Sequence, residues 1–94
     1  MPSSNLNARL NFDQGRDAFA KAKYNEASEF FRAAVETDPR FVEAHRHLAD
    51  TYGKLGYAHR AKKAWEALLR ITTDPAEQAE IQSRIAQANQ GAGG

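Results

Sequence analysis

His45-Arg46-His47-Leu48-Ala49-Asp50-Thr51-Tyr52-Gly53-Lys54-Leu55-Gly56-Tyr57-Ala58-His59-Arg60-Ala61-Lys62-Lys63-Ala64-Trp65 is the segment that decides the fold. Its apolar residues do not alternate. Leu48, Ala49 and Tyr52 recur at steps of one, three and four, and so do Ala61, Ala64, Trp65 and Leu68 just beyond. That spacing belongs to helices with one buried face. Leu55-Gly56-Tyr57 interrupts the pattern, so the segment reads as two helices joined by a short turn.

The same reading extends in both directions. Lys23-Tyr24-Asn25 interrupts an earlier helical pattern, and Asp38-Pro39 and Asp74-Pro75 punctuate the rest. Proline fits the first turn of a helix and aspartate caps it, so an Asp-Pro pair ends one helix and begins another. The chain divides into five helical segments, about 5–22, 25–37, 41–55, 58–72 and 75–89, followed by a flexible glycine-rich tail at 90–94. No segment has the period of a strand. Helices joined by such short turns pack antiparallel to their neighbours. The expected fold class is all-α, in a single domain of 94 residues.

A shift of 34 residues lays the first helix pair on the second. Gln14 falls on Leu48, Gly15 on Ala49, Ala18 on Tyr52 and Ala22 on Gly56. Ala27 falls on Ala61, Phe31 on Trp65 and Ala34 on Leu68. The second copy reads His45-x2-Leu48-Ala49-x2-Tyr52, then Ala61-x3-Trp65; the first reads Asn11-x2-Gln14-Gly15-x2-Ala18, then Ala27-x3-Phe31, then Pro39. This period and pattern resemble the tetratricopeptide repeat family. The leading Trp of the family pattern is missing from both copies, Gln14 stands for its Leu and Ala18 for its Tyr. The resemblance implies a short right-handed α-solenoid with repeats at 8–41 and 42–75 and a capping helix at 75–89. Small residues at Gly15, Ala49, Ala27 and Ala61 would let paired helices approach, with Phe31 and Trp65 filling the core beside them. Tyr24 and Tyr52 are expected as amphipathic plugs. Ile81, Ile85 and Ala88 form the narrow apolar stripe of a terminal helix.

The resemblance also implies a concave groove lined by the first helix of each pair. Arg9, Phe12, Arg16 and Phe19 would line it from the first copy, and Arg46, His47, Asp50 and Lys54 from the second. Arg84 would join them from the cap. Such grooves take an extended or helical segment of another protein, here one of acidic or mixed charge. The positions at which some family members clamp a terminal carboxylate hold Phe12, Arg16, His47, Glu77 and Ile81, a set that argues against that specialisation. Nothing caps the first helix. Leu6, Leu10 and Phe12 are the exposed apolar candidates there, and a homo-oligomer formed through them is the alternative to partner binding.

Composition excludes several other classes. There is no cysteine, hence no disulfide, thiolate metal site or cysteine nucleophile. No apolar run is long enough to span a membrane, and the N-terminus lacks the basic head and apolar core of a secretory signal, so a cytoplasmic protein is expected. His45 and His47 lie two apart, about 200° around a helix, and do not suit one metal ion. No nucleophile–base set and no phosphate loop stands out, so neither enzyme activity nor a cofactor is expected. Charge is uneven: residues 40–74 carry seven basic and four acidic groups, net +3, in a chain whose sum is +1. The run Lys54, His59, Arg60, Lys62, Lys63 suits an acidic partner or a solvated face. With that small net charge, and only Tyr57 interleaved, nucleic acid is the weakest reading.

Overall fold

Helix formation begins where a side chain can satisfy the first free N–H groups. Asn5 does this for α1 (Leu6–Ala20), its Oδ1 accepting the Ala8 N–H at 3.1 Å. The computed structural model describes the backbone of residues 4–93 and the side-chain surroundings of residues 4–89. After α1 come α2 (Tyr24–Thr37), α3 (Val42–Lys54), α4 (Ala58–Ile71) and α5 (Pro75–Gly93), with no strand among the described residues. The chain is all-α.

The turns within the two helix pairs are copies of each other. Lys23 N–H reaches the Ala18 carbonyl at 2.9 Å, and Tyr57 N–H reaches the Tyr52 carbonyl at 2.9 Å. One residue earlier, Ala22 N–H bonds Phe19 O and Gly56 N–H bonds Gly53 O. This is the Schellman termination, which needs a left-handed residue just past the helix. Gly56 supplies it at φ +78°, and Ala22 supplies it at φ +59°. The 34-residue shift read from side chains is thus also present in the backbone. The Tyr52 and Tyr57 rings lie 6.4 Å apart across the second turn, adding the apolar contact that accompanies the motif.

Ala22 pays for a backbone region that disfavours a Cβ by about 1–2 kcal/mol. Replacing Ala22 with glycine is expected to stabilise the fold by about 0.5–1 kcal/mol, after the extra unfolded-state entropy of glycine is subtracted. Gly56→Ala is expected to destabilise it by about 1 kcal/mol, and thermal melts of the two variants should move in opposite directions.

The two Asp-Pro junctions differ. Asp74 Oδ1 accepts Ala76 N–H at 3.2 Å, its carbonyl accepts Gln78 N–H at 2.9 Å, and Pro75 opens α5 directly. Asp38 instead holds a turn through Arg40 N–H and Phe41 N–H, and α3 starts only at Val42. The extra residues in that turn carry Phe41 into the core. α5 also departs from expectation at its far end, where the backbone stays helical to Gly93 and not to 89. Glycines there weaken the helix by about 1 kcal/mol each relative to alanine, yet they leave the hydrogen-bond ladder intact and no proline stops it.

Successive helices make the principal contacts: α1 on α2, α2 on α3, α3 on α4 and α4 on α5. Gly15 is the notch that lets α1 meet α2. A Cβ there would lie 2.6 Å from the Phe31 ring, which is itself fully buried. Phe12 corrects the sequence reading. Expected as an exposed apolar residue at the open end, it is only 8% exposed. Its ring lies 4.9 Å from Phe41, 5.7 Å from Phe31 and 5.0 Å from the His47 ring, centroid to centroid. The cause is Phe41, which the turn before α3 folds against α1. Thr51, buried in mid-helix, satisfies its hydroxyl on the His47 carbonyl at 2.6 Å.

α5 is held by a short set of groups. Ile81 is fully buried and Ile85 half-buried, while Glu77, Ala79, Gln82, Ser83 and Ala86 face outward. Gln78 Nε2 donates to the Thr72 carbonyl at 2.7 Å, and Glu80 accepts from Arg46 of α3 at 2.8 Å. A terminal helix built this way has one apolar stripe and a polar back.

Candidate functional site

Helix geometry sends Asp50, Gly53 and Lys54 along one side of α3, and Ala58, Ala61 and Trp65 along the side of α4 that meets it. Phe19 of α1 and Arg84, Gln87 and Ala88 of α5 close the ring around a cavity of about 550 Å³. A second hollow of about 200 Å³ adjoins it, lined by Arg16, Phe19, Ala20, His47 and Asp50. Phe19 and Asp50 belong to both, so the two form one trough across α1, α3, α4 and α5.

Six of the residues expected in a groove therefore come together: Arg16, Phe19, His47, Asp50, Lys54 and Arg84. Three do not. Arg9 is exposed but lines neither hollow, and Phe12 is core. Arg46 is drawn away into its ion pair with Glu80. Sequence reasoning assigned Trp65 to the core alone and Ala88 to the apolar stripe of α5, and gave Ala58 and Gln87 no role. The 34-residue alignment of Trp65 on Phe31 concealed the difference, because Phe31 is sealed over while Trp65 contributes to the trough wall.

Trp65 organises the charge around the trough. The Arg84 guanidinium lies 5.7 Å from its ring centroid and that of Arg46 lies 5.9 Å away. Arg16 sits similarly over Phe12 at 5.7 Å. Arg16, Lys54 and Arg84 make the trough cationic, with Asp50 as the carboxylate between them. The small residues Ala49, Ala58, Ala61 and Ala88 leave room above Trp65 for an incoming side chain. This combination of a shaped apolar floor and a charged rim suits recognition of a protein segment.

The histidines are engaged locally. His45, which is buried, uses Nε2 to donate to the Pro39 carbonyl at 2.8 Å; His47 uses Nδ1 toward the Glu43 carbonyl at 2.8 Å. Among the described residues no group of three or more His, Cys, Asp and Glu side chains converges as a metal site would require. Also among them, no helix is long and apolar enough to cross a membrane. Leu6 and Leu10 stand 63% and 52% exposed on α1, one helical turn apart. Searches against models of protein families and against curated proteins give no match to this chain.

Proposed function

We propose that the chain is a non-catalytic protein-interaction module of tetratricopeptide-repeat type, an adaptor or accessory subunit working in the cytoplasm. Its repeats at 8–41 and 42–75 stack as a short right-handed solenoid with α5 as the cap. The trough binds a segment of a partner protein, with Phe19 and the alanine-bedded space over Trp65 taking apolar side chains. Arg16, Lys54 and Arg84 select acidic groups on that segment. The observation that carries this reading is the convergence of Arg16, Phe19, Asp50, Lys54 and Arg84, from three different helices, on one continuous hollow.

A photo-crosslinking residue at position 50, introduced into tagged protein in its own cell extract, is the test. The expected result is one discrete crosslinked partner, reduced about tenfold or more in the Arg16→Glu/Lys54→Glu background, which corresponds to at least about 1.4 kcal/mol. Both cations are exposed, so the variant should melt like the parent. The exposed pair Leu6 and Leu10 favours a second reading, self-association through α1. A mass that rises with concentration and falls back to the monomer in Leu10→Asp, with no crosslink at position 50, would replace the first reading by the second.

A further inference from the structure

A separate groove runs between α2 and α4, on the faces of α3 and α4 turned away from the trough. His45, Leu48 and Tyr52 of α3 form its floor, whereas Ala49, Asp50, Gly53 and Lys54 of the same helix serve the trough. Its apolar end, about 430 Å³, is walled by Val35 on one side and by Ala64 and Ala67 on the other. Its polar end, about 150 Å³, is bounded by Asn25, Ser28, Glu29 and Tyr57. Arg32 and Arg60 belong to both hollows and stand at their junction, and Lys63 flanks the apolar end.

One of these cations is braced by aromatic rings. The Arg60 guanidinium rests 5.3 Å from the Tyr57 ring centroid and 6.0 Å from that of Tyr52. Neither Arg32, Arg60 nor Lys63 has an ion-pair partner among the described residues. Glu29 is the only carboxylate lining the two hollows. Three cations against one carboxylate, over an apolar floor, call for an occupant with negative charge and its own apolar groups.

We propose that this α2–α4 groove is a second docking surface, and that its occupant is an acidic segment of a partner protein. A carboxylate sits between Arg32 and Arg60, a neighbouring aliphatic side chain lies over Leu48 and Ala64, and a second carboxylate meets Lys63. Glu29 repels acid at the polar end and so fixes the direction in which the segment lies. A nucleic-acid strand is the poorer fit: Arg60 already covers the tyrosine faces on which bases would stack, and the remaining floor is aliphatic. With the trough on the other side of α3, the module can hold two segments at once.

Fluorescence anisotropy tests this with defined probes: labelled twelve-residue peptides of repeating Glu-Glu-Leu, Glu-Glu-Ser and Lys-Lys-Leu, and a labelled single-stranded oligonucleotide. The Glu-Glu-Leu peptide is expected to bind saturably and about tenfold or more tighter than the other probes. With the trough disabled by Arg16→Glu/Lys54→Glu, saturable binding of this peptide should remain, and adding Arg60→Glu/Lys63→Glu should then weaken it about tenfold or more. Because Arg60 also packs on two tyrosines, Arg32→Glu/Lys63→Glu serves as a second variant that leaves that stack intact. Failure of the Glu-Glu-Leu peptide to saturate, equal binding of the Glu-Glu-Ser peptide, tighter binding of the oligonucleotide, or loss of binding only in the trough variant would each overturn the proposal.

Discussion

Phe31→Ala is expected to cost about 3–5 kcal/mol of folding free energy, the range for truncating a fully buried aromatic ring. A domain of this size commands only about 5–15 kcal/mol in total, so the variant should be near its unfolding midpoint at ambient temperature. Chemical denaturation followed by circular dichroism checks the loss. The structure makes a sharper demand as well. Phe31 occupies the notch of Gly15, and the site of a Gly15 Cβ is 2.6 Å from the ring. Gly15→Ala should therefore destabilise the fold by about 1–2 kcal/mol even though alanine is the better helix former by about 1 kcal/mol. In a Phe31→Leu background the Gly15→Ala penalty should shrink or reverse, because the clashing edge of the ring is gone. A double-mutant cycle measures this coupling directly. Additive effects would mean that the α1–α2 crossing is not set by this notch.

The second large effect is expected at the other end of the chain. Ile81 is fully buried on α5, with half-buried Ile85 and Ala88 and a few polar contacts beside it among the described residues. Ile81→Ala should cost about 2–5 kcal/mol if the whole fold bears the loss. Ile81→Asp also places a carboxylate at a fully buried position, and is expected to release α5 outright. Trp65, the single tryptophan, lies in the trough wall that α5 closes. Its emission should shift to the red when α5 undocks, at a denaturant concentration where helix signal from the rest of the chain persists. Crosslinking from position 50 should fail in the same variant, because Arg84, Gln87 and Ala88 leave with the helix. One cooperative transition reported alike by tryptophan emission and circular dichroism would show instead that α5 is inseparable from the core.

The sequence made the helices and their pairing legible because both rest on local chemistry. Gly56 marks one left-handed turn openly, and the 34-residue shift transfers that turn to Ala22, a residue that gives no sign of it by itself. Phe12 was misplaced for the opposite reason. Its burial depends on Phe41, which arrives through a turn whose course Asp38 sets with its own hydrogen bonds. No helical periodicity records such a path. Periodicity likewise assigned Trp65 to the core, and did so correctly, but it carries no information about which buried ring also borders a hollow. Arg16, Phe19, Asp50 and Lys54 were legible because the 34-residue shift puts the faces of α1 and α3 in register; on α5, which that shift does not reach, charge pointed to Arg84 but nothing pointed to Gln87 or to a trough role for Ala88.

The exposed leucines of α1 and the largely polar outer side of α5 make these two helices chemically unlike. That inequality governs growth. A head-to-tail filament needs each end to adhere to the other, and the outward side of α5, with Glu77, Gln82 and Ser83 beside two alanines, gives leucine little to bury against. Association through the α1 edge can instead match only that edge with its own copy, a contact that consumes both adhesive ends and closes at two chains. If the chain self-associates as proposed through Leu6 and Leu10, its mass should therefore level off at twice that of the monomer as concentration rises.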